Sequence, residues 1–390
     1  MKNYRATIIA CFTGFIVQAV INNFMPMLFV HFNSTYGIPF TSITLLISCN
    51  FLTQLAVDAA SVLFVDRIGY RLSCVLAHLF SASGLLAMAV LPVTFSNLLL
   101  AVILYAIGGG LIEVLISPIM ENCPTDNKEK AMSLLHSFYC WGHVGVVLIT
   151  TAFFAVSGIG NWKYLAAIWS VIPLINMIAF TRGPIEPMTS VHEESSLKRL
   201  FSNRLFWLFI VMMITSGASE HAVSQWASTL AEKTLGISKT LGDLFGPMLF
   251  AVFMGISRVI FGNFGEKLDL DRYFLGSVIL CTISYLLIAV VPSAAVNLLG
   301  CALSGMAVGI FWPGTISNAA ILKNEGTALY AFLALAGDIG CSVGPAVVGF
   351  VSAGFDNDLH RGILAAVIFP LVLLVSFLIY LRNKKRAFPL

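Results

Sequence analysis

The chain has 390 residues, of which 58% are hydrophobic and only 11% are charged. A soluble protein needs about a quarter of its residues charged, so this composition excludes an ordinary soluble fold and predicts that lipid covers most of the surface. The small net charge of +3, with no basic run on a large soluble surface, excludes nucleic-acid binding.

Apolar runs long enough to cross a bilayer recur along the whole chain. A helical span needs about 20 apolar residues. The first run is longer than the core of a signal peptide and lacks a small-residue cleavage site, so we expect a helix that is retained. We number the predicted helices 1 to 12, at residues 7–31, 40–64, 72–92, 96–121, 130–156, 162–180, 205–231, 240–263, 271–291, 295–318, 326–354 and 359–382. The sequence therefore predicts an all-α membrane protein.

The loops between these spans differ in their content of lysine and arginine. Seventeen of the 22 basic residues fall on one side, four on the other, and Arg258 lies inside a helix. By the positive-inside rule, this bias predicts that both termini face the cytoplasm. Because the loops are short, we expect a multi-pass protein of the cell inner membrane.

One hydrophilic segment, residues 181–204, interrupts the apolar pattern at mid-chain. Its prolines, serines and mixed charges are typical of a cytoplasmic linker. We therefore expect two six-helix bundles, at residues 1–180 and 205–390. Two parallel repeats of this kind are typical of transporters whose halves rock around a site near the bilayer midplane.

The two predicted bundles also repeat each other in sequence. Glycine pairs occupy matching places in helices 5 and 11, at Gly142 and Gly145 and at Gly337 and Gly340. Internal repeats indicate that each half is one copy of the same structural unit.

Two predicted cytoplasmic loops carry a related motif. The loop after helix 2 contains DRIGYR at residues 66–71, and the loop after helix 8 contains GNFGEK at residues 262–267. Both resemble the GxxxDRxGRR loop of the major facilitator superfamily. The first copy has Val62 in place of the leading glycine, and the second has Glu266 in place of aspartate. The resemblance implies a twelve-helix fold in two pseudo-symmetric bundles.

A narrower resemblance is to the sugar-transporting branch typified by the L-fucose permease. Helix 4 reads GGGLIEVLISP at residues 108–118, similar to the GxGxLExxxNP of that branch. Asn22 and Asn23 are similar to its paired asparagines, and HSFYCWG at residues 136–142 is similar to its QxFNxxG. The resemblance implies proton-coupled transport of a sugar.

Two positions depart from the pattern of that branch. Pro26 stands where an acidic residue is expected after the paired asparagines, and Ser117 replaces the asparagine of helix 4. The first departure removes an acidic residue that the proton-coupling scheme of that branch includes. The second changes a residue linked to the identity of the sugar.

Ionisable side chains inside the hydrocarbon zone are costly to bury, so each is a candidate for function. Glu113 has only apolar and glycine neighbours in helix 4, and we predict that it carries a proton or accepts hydrogen bonds from substrate hydroxyls. The alternative is a structural hydrogen bond to a neighbouring helix. The predicted proton-coupling residues are Glu113, Glu220 and Asp338.

Polar and aromatic side chains at spacings of three and four on helices 5, 7 and 10 add candidates for binding a sugar ring. The alternatives are packing residues, residues wetted at the outer mouth, and interface anchors. The predicted substrate-binding residues are Asn22, Asn23, Glu113, His136, Tyr139, Glu220, His221, Gln225, Trp226, Trp312, Asn318 and Asp338.

A third group is predicted to control the conformational change. Asp58 and Arg258 occupy equivalent places in the two halves, so they are candidates for a gate pair, with separate local partners as the alternative. Asp66 is predicted to accept hydrogen bonds at the start of helix 11, where the helix dipole favours an anion. The predicted gating residues are Asp58, Asp66, Arg67, Gly69, Arg71 and Arg258.

These patterns together predict a monomeric proton symporter of a small polar solute, with a sugar or sugar derivative as the first candidate. The alternative is an exporter or a carrier of organic anions or drug-like compounds. An anion carrier should offer cations at its centre, and Arg258 is the only candidate apart from the histidines, which weakens this alternative. No HExxH, GxSxG or Cys/His cluster occurs, so we predict neither an enzyme nor a bound cofactor or metal.

Overall fold

The computed structural model describes residues 4–124, 128–185, 197–264, 269–319, 321–322 and 327–387. In this part of the chain, twelve helices are long and apolar enough to cross a membrane. They are Arg5–Tyr36 (α1), Phe40–Ser61 (α2), Tyr70–Val90 (α3), Phe95–Asn122 (α4), Leu134–Ser157 (α5), Ile159–Arg182 (α6), Arg204–Thr234 (α7), Lys239–Gly262 (α8), Leu270–Val290 (α9), Ala294–Ala319 (α10), Leu329–Ala353 (α11) and Leu359–Lys384 (α12). The predicted all-α fold with twelve transmembrane helices is confirmed.

The spans α1, α7 and α8 each change their helix type part-way. α1 passes through a 3-10 turn at Met25–Leu28, which contains Pro26. α7 ends in a π-helical turn at Leu230–Thr234, and α8 contains another at Leu244–Met248. Proline lacks a backbone N–H and interrupts the helical hydrogen bonds, which accounts for the break in α1. These two π turns flank the short connection between α7 and α8, where several charged residues lie close together.

Two compact units make up the chain. Unit 1 contains residues 1–189 and 228–251, and unit 2 contains residues 190–227 and 252–390. The predicted linker and six-helix bundles stay a prediction, and residues 186–196 of that linker lie outside the described residues.

In unit 1, three consecutive glycines bring α4 close to its neighbours. A methyl group on Gly108 would overlap Ser81 of α3, and one on Gly110 would lie 2.8 Å from the carbonyl oxygen of Gln54 in α2. A methyl group on Gly109 would lie 3.2 Å from the side chain of the same glutamine. Any larger residue would force these helices apart, so the glycines explain how polar groups of α2 come next to α4.

In unit 2, α7 and α11 pack with their backbones in contact. A methyl group on Gly340 would overlap the carbonyl oxygen of Ile214, and one on Gly344 would overlap that of Ala218. Small residues four positions apart permit such close approach between membrane helices, where van der Waals packing drives association. This pair of glycines therefore fixes the contact between α7 and α11.

Unit 1 also contains a charged cluster that the sequence analysis did not predict. The Nζ atom of Lys239 lies 3.0 Å from Oδ1 of Asp243 and 3.6 Å from Oε2 of Glu232. The hydroxyl of Ser228 donates a 2.5 Å hydrogen bond to the same Oδ1 of Asp243. The side chain of Asp243 is only 1% exposed, so the ion pair with Lys239 is largely shielded from water on the aspartate side.

Replacing Lys239 by methionine is expected to lower the free energy of unfolding by about 3–5 kcal/mol, because the buried carboxylate of Asp243 loses its counter-charge. Lys233→Met is the control, since Lys233 is exposed and lies 4.1 Å from the ring centroid of Phe40. We expect that control to change stability by about 1 kcal/mol or less. Unfolding of the purified protein in detergent measures both, and equal losses would contradict a special role for the Lys239–Asp243 pair.

Candidate functional site

A group of polar side chains from α1, α2 and α4 meets inside unit 1. We call it the amide–carboxylate cluster, and its members are Gln18, Asn22, Asn50, Gln54, Asp58 and Glu113. Five of the six are at least 90% buried, and Glu113 is partly exposed. So much polarity in membrane helices is tolerated where the groups bond one another or face a water-filled cavity.

Hydrogen bonds connect the amides of this cluster to one of its carboxylates. Oδ1 of Asn22 accepts from Nδ2 of Asn50 at 3.1 Å and from Nε2 of Gln54 at 2.9 Å. The Nε2 atom of Gln18 donates to Oε1 of Gln54 at 2.8 Å and to Oε2 of Glu113 at 3.3 Å. Gln18 therefore connects Glu113 to the amides of α1 and α2.

The second carboxylate of the cluster is close to the first. The carboxylate oxygens of Asp58 and Glu113 lie within 4.8 Å of each other. Asp58 is 8% exposed, so little water screens the repulsion between the two groups. Two carboxylates at this separation are stabilised by a proton or another cation. The structure thus gives the predicted proton carrier a neighbour that the sequence analysis placed among the gating residues.

The other predicted binding residues of unit 1 lie in different surroundings. Nδ2 of Asn23 donates to the carbonyl oxygen of Ala19 in its own helix, at 2.9 Å. His136 is exposed, and its ring centroid lies 5.3 Å from that of Phe15. Tyr139 is partly exposed, on the same helix as His136. Their predicted contacts with a substrate stay predictions.

In unit 2, the predicted proton-coupling residue Glu220 pairs with a cation. Its Oε2 lies 3.8 Å from Nη2 of Arg258, which joins α7 to α8. Glu220 is 4% exposed and the side chain of Arg258 is 18% exposed, so the pair is largely shielded from water. The proposed gate pair of Arg258 with Asp58 stays a prediction.

Other predicted residues of unit 2 are buried as well. His221, Gln225 and Asp338 are 7%, 2% and 8% exposed. Trp226 is fully buried, and its indole N–H donates to the carbonyl oxygen of Pro345 at 3.0 Å. This bond gives Trp226 a packing role in unit 2, and its predicted contact with a substrate stays a prediction.

Helix α10 contributes the last two predicted binding residues. The ring of Trp312 fills the space beside Gly337, where any added side chain would overlap it. Oδ1 of Asn318 accepts from the hydroxyl of Tyr380 at 3.2 Å. Among the described residues, the buried amide nitrogen of Asn318 has no hydrogen-bond partner.

The motif between α2 and α3 forms a tight turn. Gly69 has a φ of +85°, a value that glycine adopts without strain. Nη1 of Arg71 donates to the carbonyl oxygens of Phe180 and Thr181, at 2.9 and 2.7 Å, and so caps the end of α6. Arg71, which was predicted as a gating residue, therefore has helix carbonyls among its partners.

The other residues of the two motif copies do not test the predicted latch. Arg67 is exposed. The side chain of Asp66 and the second copy of the motif at residues 265–267 lie outside the described residues. The predicted latch therefore stays a prediction.

An apolar groove of about 520 Å³ opens on unit 1 between α2, α3 and α4. Its lining includes Leu52, Val57, Phe64, Leu76 and Phe80. Binding sites for polar solutes combine an apolar lining with a few well-placed polar groups. This groove suits an acyl chain of a lipid better than a polar solute.

Three members of the cluster were missed by the sequence analysis, namely Gln18, Asn50 and Gln54. A signal for them exists, because Gln18 precedes Asn22 by four residues, and Asn50, Gln54 and Asp58 are also four residues apart. Residues at this spacing share one face of a helix. Polar stripes of this kind on two apolar helices indicate faces that turn away from lipid.

The family model of the Major Facilitator Superfamily matches residues 10–345 of the chain. No curated protein sequence matches it significantly.

Solved structures of transporters have a similar fold. A D-xylose–proton symporter has a TM-score of 0.77 and 16% identity, covering 97% of both chains. A nucleoside transporter has a TM-score of 0.76 and 13% identity, covering 97% of this chain and 99% of that one. The E. coli fucose:proton symporter has a TM-score of 0.67 and 14% identity, with the same coverage. At such low identity, these likenesses show the fold alone.

Proposed function

Because this chain belongs to the Major Facilitator Superfamily, we propose that it is a transporter that moves a small polar solute, a sugar or sugar derivative, together with protons. The observation that carries this proposal is the amide–carboxylate cluster of unit 1. It places several hydrogen-bonding groups within apolar helices, an arrangement that is typical of functional sites in membrane proteins.

The chemistry of the cluster supports a polyol as the substrate. Side-chain amides both donate and accept hydrogen bonds, and carboxylates accept them strongly, so together they match the hydroxyl groups of a sugar. We therefore infer that the amides of unit 1 contribute to recognition, with Glu113 as the group that senses protonation.

Coupling to protons follows from the pair of carboxylates in unit 1. With both Asp58 and Glu113 ionised, two negative charges lie within 4.8 Å of each other in a poorly hydrated region. Uptake of a proton removes one charge and lowers the cost of excluding water around the solute. In this scheme, the protonated and loaded protein changes from its outward-open to its inward-open state.

The alternative function, a carrier of organic anions or an exporter, has less support. An anion carrier needs an uncompensated cation at its site. Arg258 already lies 3.8 Å from the carboxylate of Glu220, which cancels its charge. We therefore favour a neutral solute over an anionic one.

We further propose that the protein lies in the cell inner membrane as a monomer, with both termini in the cytoplasm. The excess of lysine and arginine in the loops of one side supports this orientation. This orientation can be measured by introducing cysteines into single loops. In intact cells, a membrane-impermeant reagent should label only the cysteines of the loops outside the cytoplasm.

Proteoliposomes containing the purified protein are expected to accumulate at least one labelled sugar from a panel that includes D-xylose, L-fucose and a nucleoside. An inward proton gradient should increase this uptake, and a protonophore should abolish the increase. Empty liposomes are the control. Transport of hydrophobic drugs with no uptake of any sugar would overturn the proposal and favour the exporter.

A further inference from the structure

We propose that unit 1 binds an acidic phospholipid in the apolar groove between α2, α3 and α4, with Arg67 at the end that receives the headgroup. This site goes beyond the proposed transport function and does not depend on it. Three observations support it: the shape of the groove, the pattern of side chains along α2, and the charge at one end.

The groove exists because two consecutive helices are held apart. α2 and α3 each pack closely on α4, but they barely contact each other. The gap between them is the groove of about 520 Å³, and Ile103, Ile107 and Leu111 of α4 contribute to its lining. An empty space of this size would deprive its whole lining of dispersion contacts, so in a bilayer an acyl chain fills it.

One face of α2 lines the groove from end to end. The lining residues of this face recur at spacings of three and four, and they are Cys49, Thr53, Ala56, Ala60 and Phe64. The first four are small, which leaves room for a chain to pack closely against the helix. From Cys49 to Phe64 the helix rises by about 22 Å, which exceeds the roughly 15 Å of hydrocarbon in one leaflet. A complete acyl chain therefore fits beside this face.

The same face of α2 ends in a cation. The helix continues to Ile68, and Arg67 follows Phe64 by three residues. Residues at this spacing share one face of a helix, so Arg67 continues the stripe that lines the groove. Arg67 is exposed. Because a guanidinium group binds phosphate through two parallel hydrogen bonds, Arg67 suits the phosphate of a lipid whose chain occupies the groove.

The neighbouring helix ends favour a headgroup with a net negative charge. Arg71 of α3 donates to the carbonyl oxygen of Thr181 at 2.7 Å, which brings α3 and α6 together at this end of unit 1. Three arginines stand against two carboxylates at these ends of α2, α3, α4 and α6, namely Arg67, Arg71 and Arg182 against Asp66 and Glu121. Basic pockets between membrane helices bind acidic headgroups through such a surplus of positive charge.

α2 separates the groove from the amide–carboxylate cluster. Val57 lines the groove, whereas the next residue, Asp58, belongs to the cluster on another side of the same helix. A Cβ atom on Gly110 of α4 would lie 3.0 Å from the Cβ atom of Val57. A lipid in the groove therefore packs beside the contact between α2 and α4 and supports the helix that carries Gln54 and Asp58.

Thermal unfolding of the purified full-length protein in detergent, without any solute, tests the site. Dioleoylphosphatidylglycerol or dioleoylphosphatidylcholine is added to the micelles at increasing mole fraction. We expect a saturable rise in Tm of about 3 °C or more with phosphatidylglycerol, because a lipid that binds only the folded state stabilises it. Phosphatidylcholine, with the same chains, should give a clearly smaller rise, and glycerol 3-phosphate, which has no chains, should give none.

Matched variants show where the lipid binds. Ala56→Phe fills the groove and should abolish the rise with phosphatidylglycerol, whereas Ala152→Phe, at an exposed alanine of α5, should keep it. If Ala56→Phe does not fold, Ala60→Leu takes its place. Arg67→Gln should reduce the rise with phosphatidylglycerol to that with phosphatidylcholine, whereas Arg204→Gln, at an exposed arginine of unit 2, should preserve the difference between the two lipids.

Any of four results would rule out the acidic-lipid site. They are a wild-type Tm that does not respond to phosphatidylglycerol, an equal response to phosphatidylcholine, an undiminished response in the variant that fills the groove, and an unchanged difference between the two lipids in Arg67→Gln. No solute is present in these measurements, so their outcome is separate from that of the sugar-uptake experiment.

Discussion

Concentrative uptake is expected to disappear when Glu113 is replaced by glutamine, whereas exchange of internal for external solute continues. Glutamine preserves the shape of the side chain, and its carbonyl oxygen can still accept the 3.3 Å hydrogen bond from Nε2 of Gln18. It cannot take up a proton, so binding of the solute is retained while its link to the proton gradient is lost. The accumulation ratio in proteoliposomes should fall to unity.

The matched control for this variant is Glu121→Gln, which removes an exposed carboxylate from the same helix. We expect wild-type uptake from it, both with and without a proton gradient. Wild-type accumulation by Glu113→Gln would remove Glu113 as the proton carrier. Loss of exchange together with uptake would instead assign the residue to binding of the solute.

The transmembrane helices could be predicted because bilayer thickness imposes one length on every apolar run. The predicted span at residues 162–180 and the observed span α6, Ile159–Arg182, differ by three residues at one end and by two at the other. Changes of helix type within a span could not be predicted from the sequence in this way. The π turns in α7 and α8 depend on local hydrogen bonds, which leave no periodic signal in the sequence.

The amide–carboxylate cluster could be predicted only in part. Asn22 and Glu113 were found because a resemblance or an isolated charge drew attention to them. Gln18, Asn50 and Gln54 are neutral, so a search for charged residues in the hydrocarbon zone does not find them. Their spacing shows a polar face on each helix, but it does not show which faces meet.

The Glu220 partner of Arg258 illustrates the same limit. Equivalent positions in the two repeats suggest a pair with Asp58, which stays a prediction, but they give no sign of the ion pair with Glu220 inside unit 2. A repeat relates positions by symmetry, whereas an ion pair depends on which helices pack side by side. The contact between α7 and α8 follows from tertiary structure, and one sequence does not reveal it.

Replacing Gly340 by alanine is expected to destabilise unit 2 strongly, by about 3 kcal/mol or more, because overpacking against a rigid backbone has no easy relief. The added methyl group would overlap the carbonyl oxygen of Ile214 and lie 2.8 Å from the backbone nitrogen of Ala218. Since both groups belong to the backbone of α7, the two helices must separate. The midpoint of thermal inactivation in detergent should fall accordingly.

Gly145 provides the matched control, because it occupies the equivalent place in the other sequence repeat. A methyl group there would meet no atom within 4 Å, so Gly145→Ala should leave stability within about 1 kcal/mol of the wild type or raise it slightly, since alanine favours a helix over glycine. The repeat alone predicts equal effects at both positions, whereas the packing predicts a loss only at Gly340. Equal midpoints for the two variants would show that the close contact of α7 with α11 contributes little to stability.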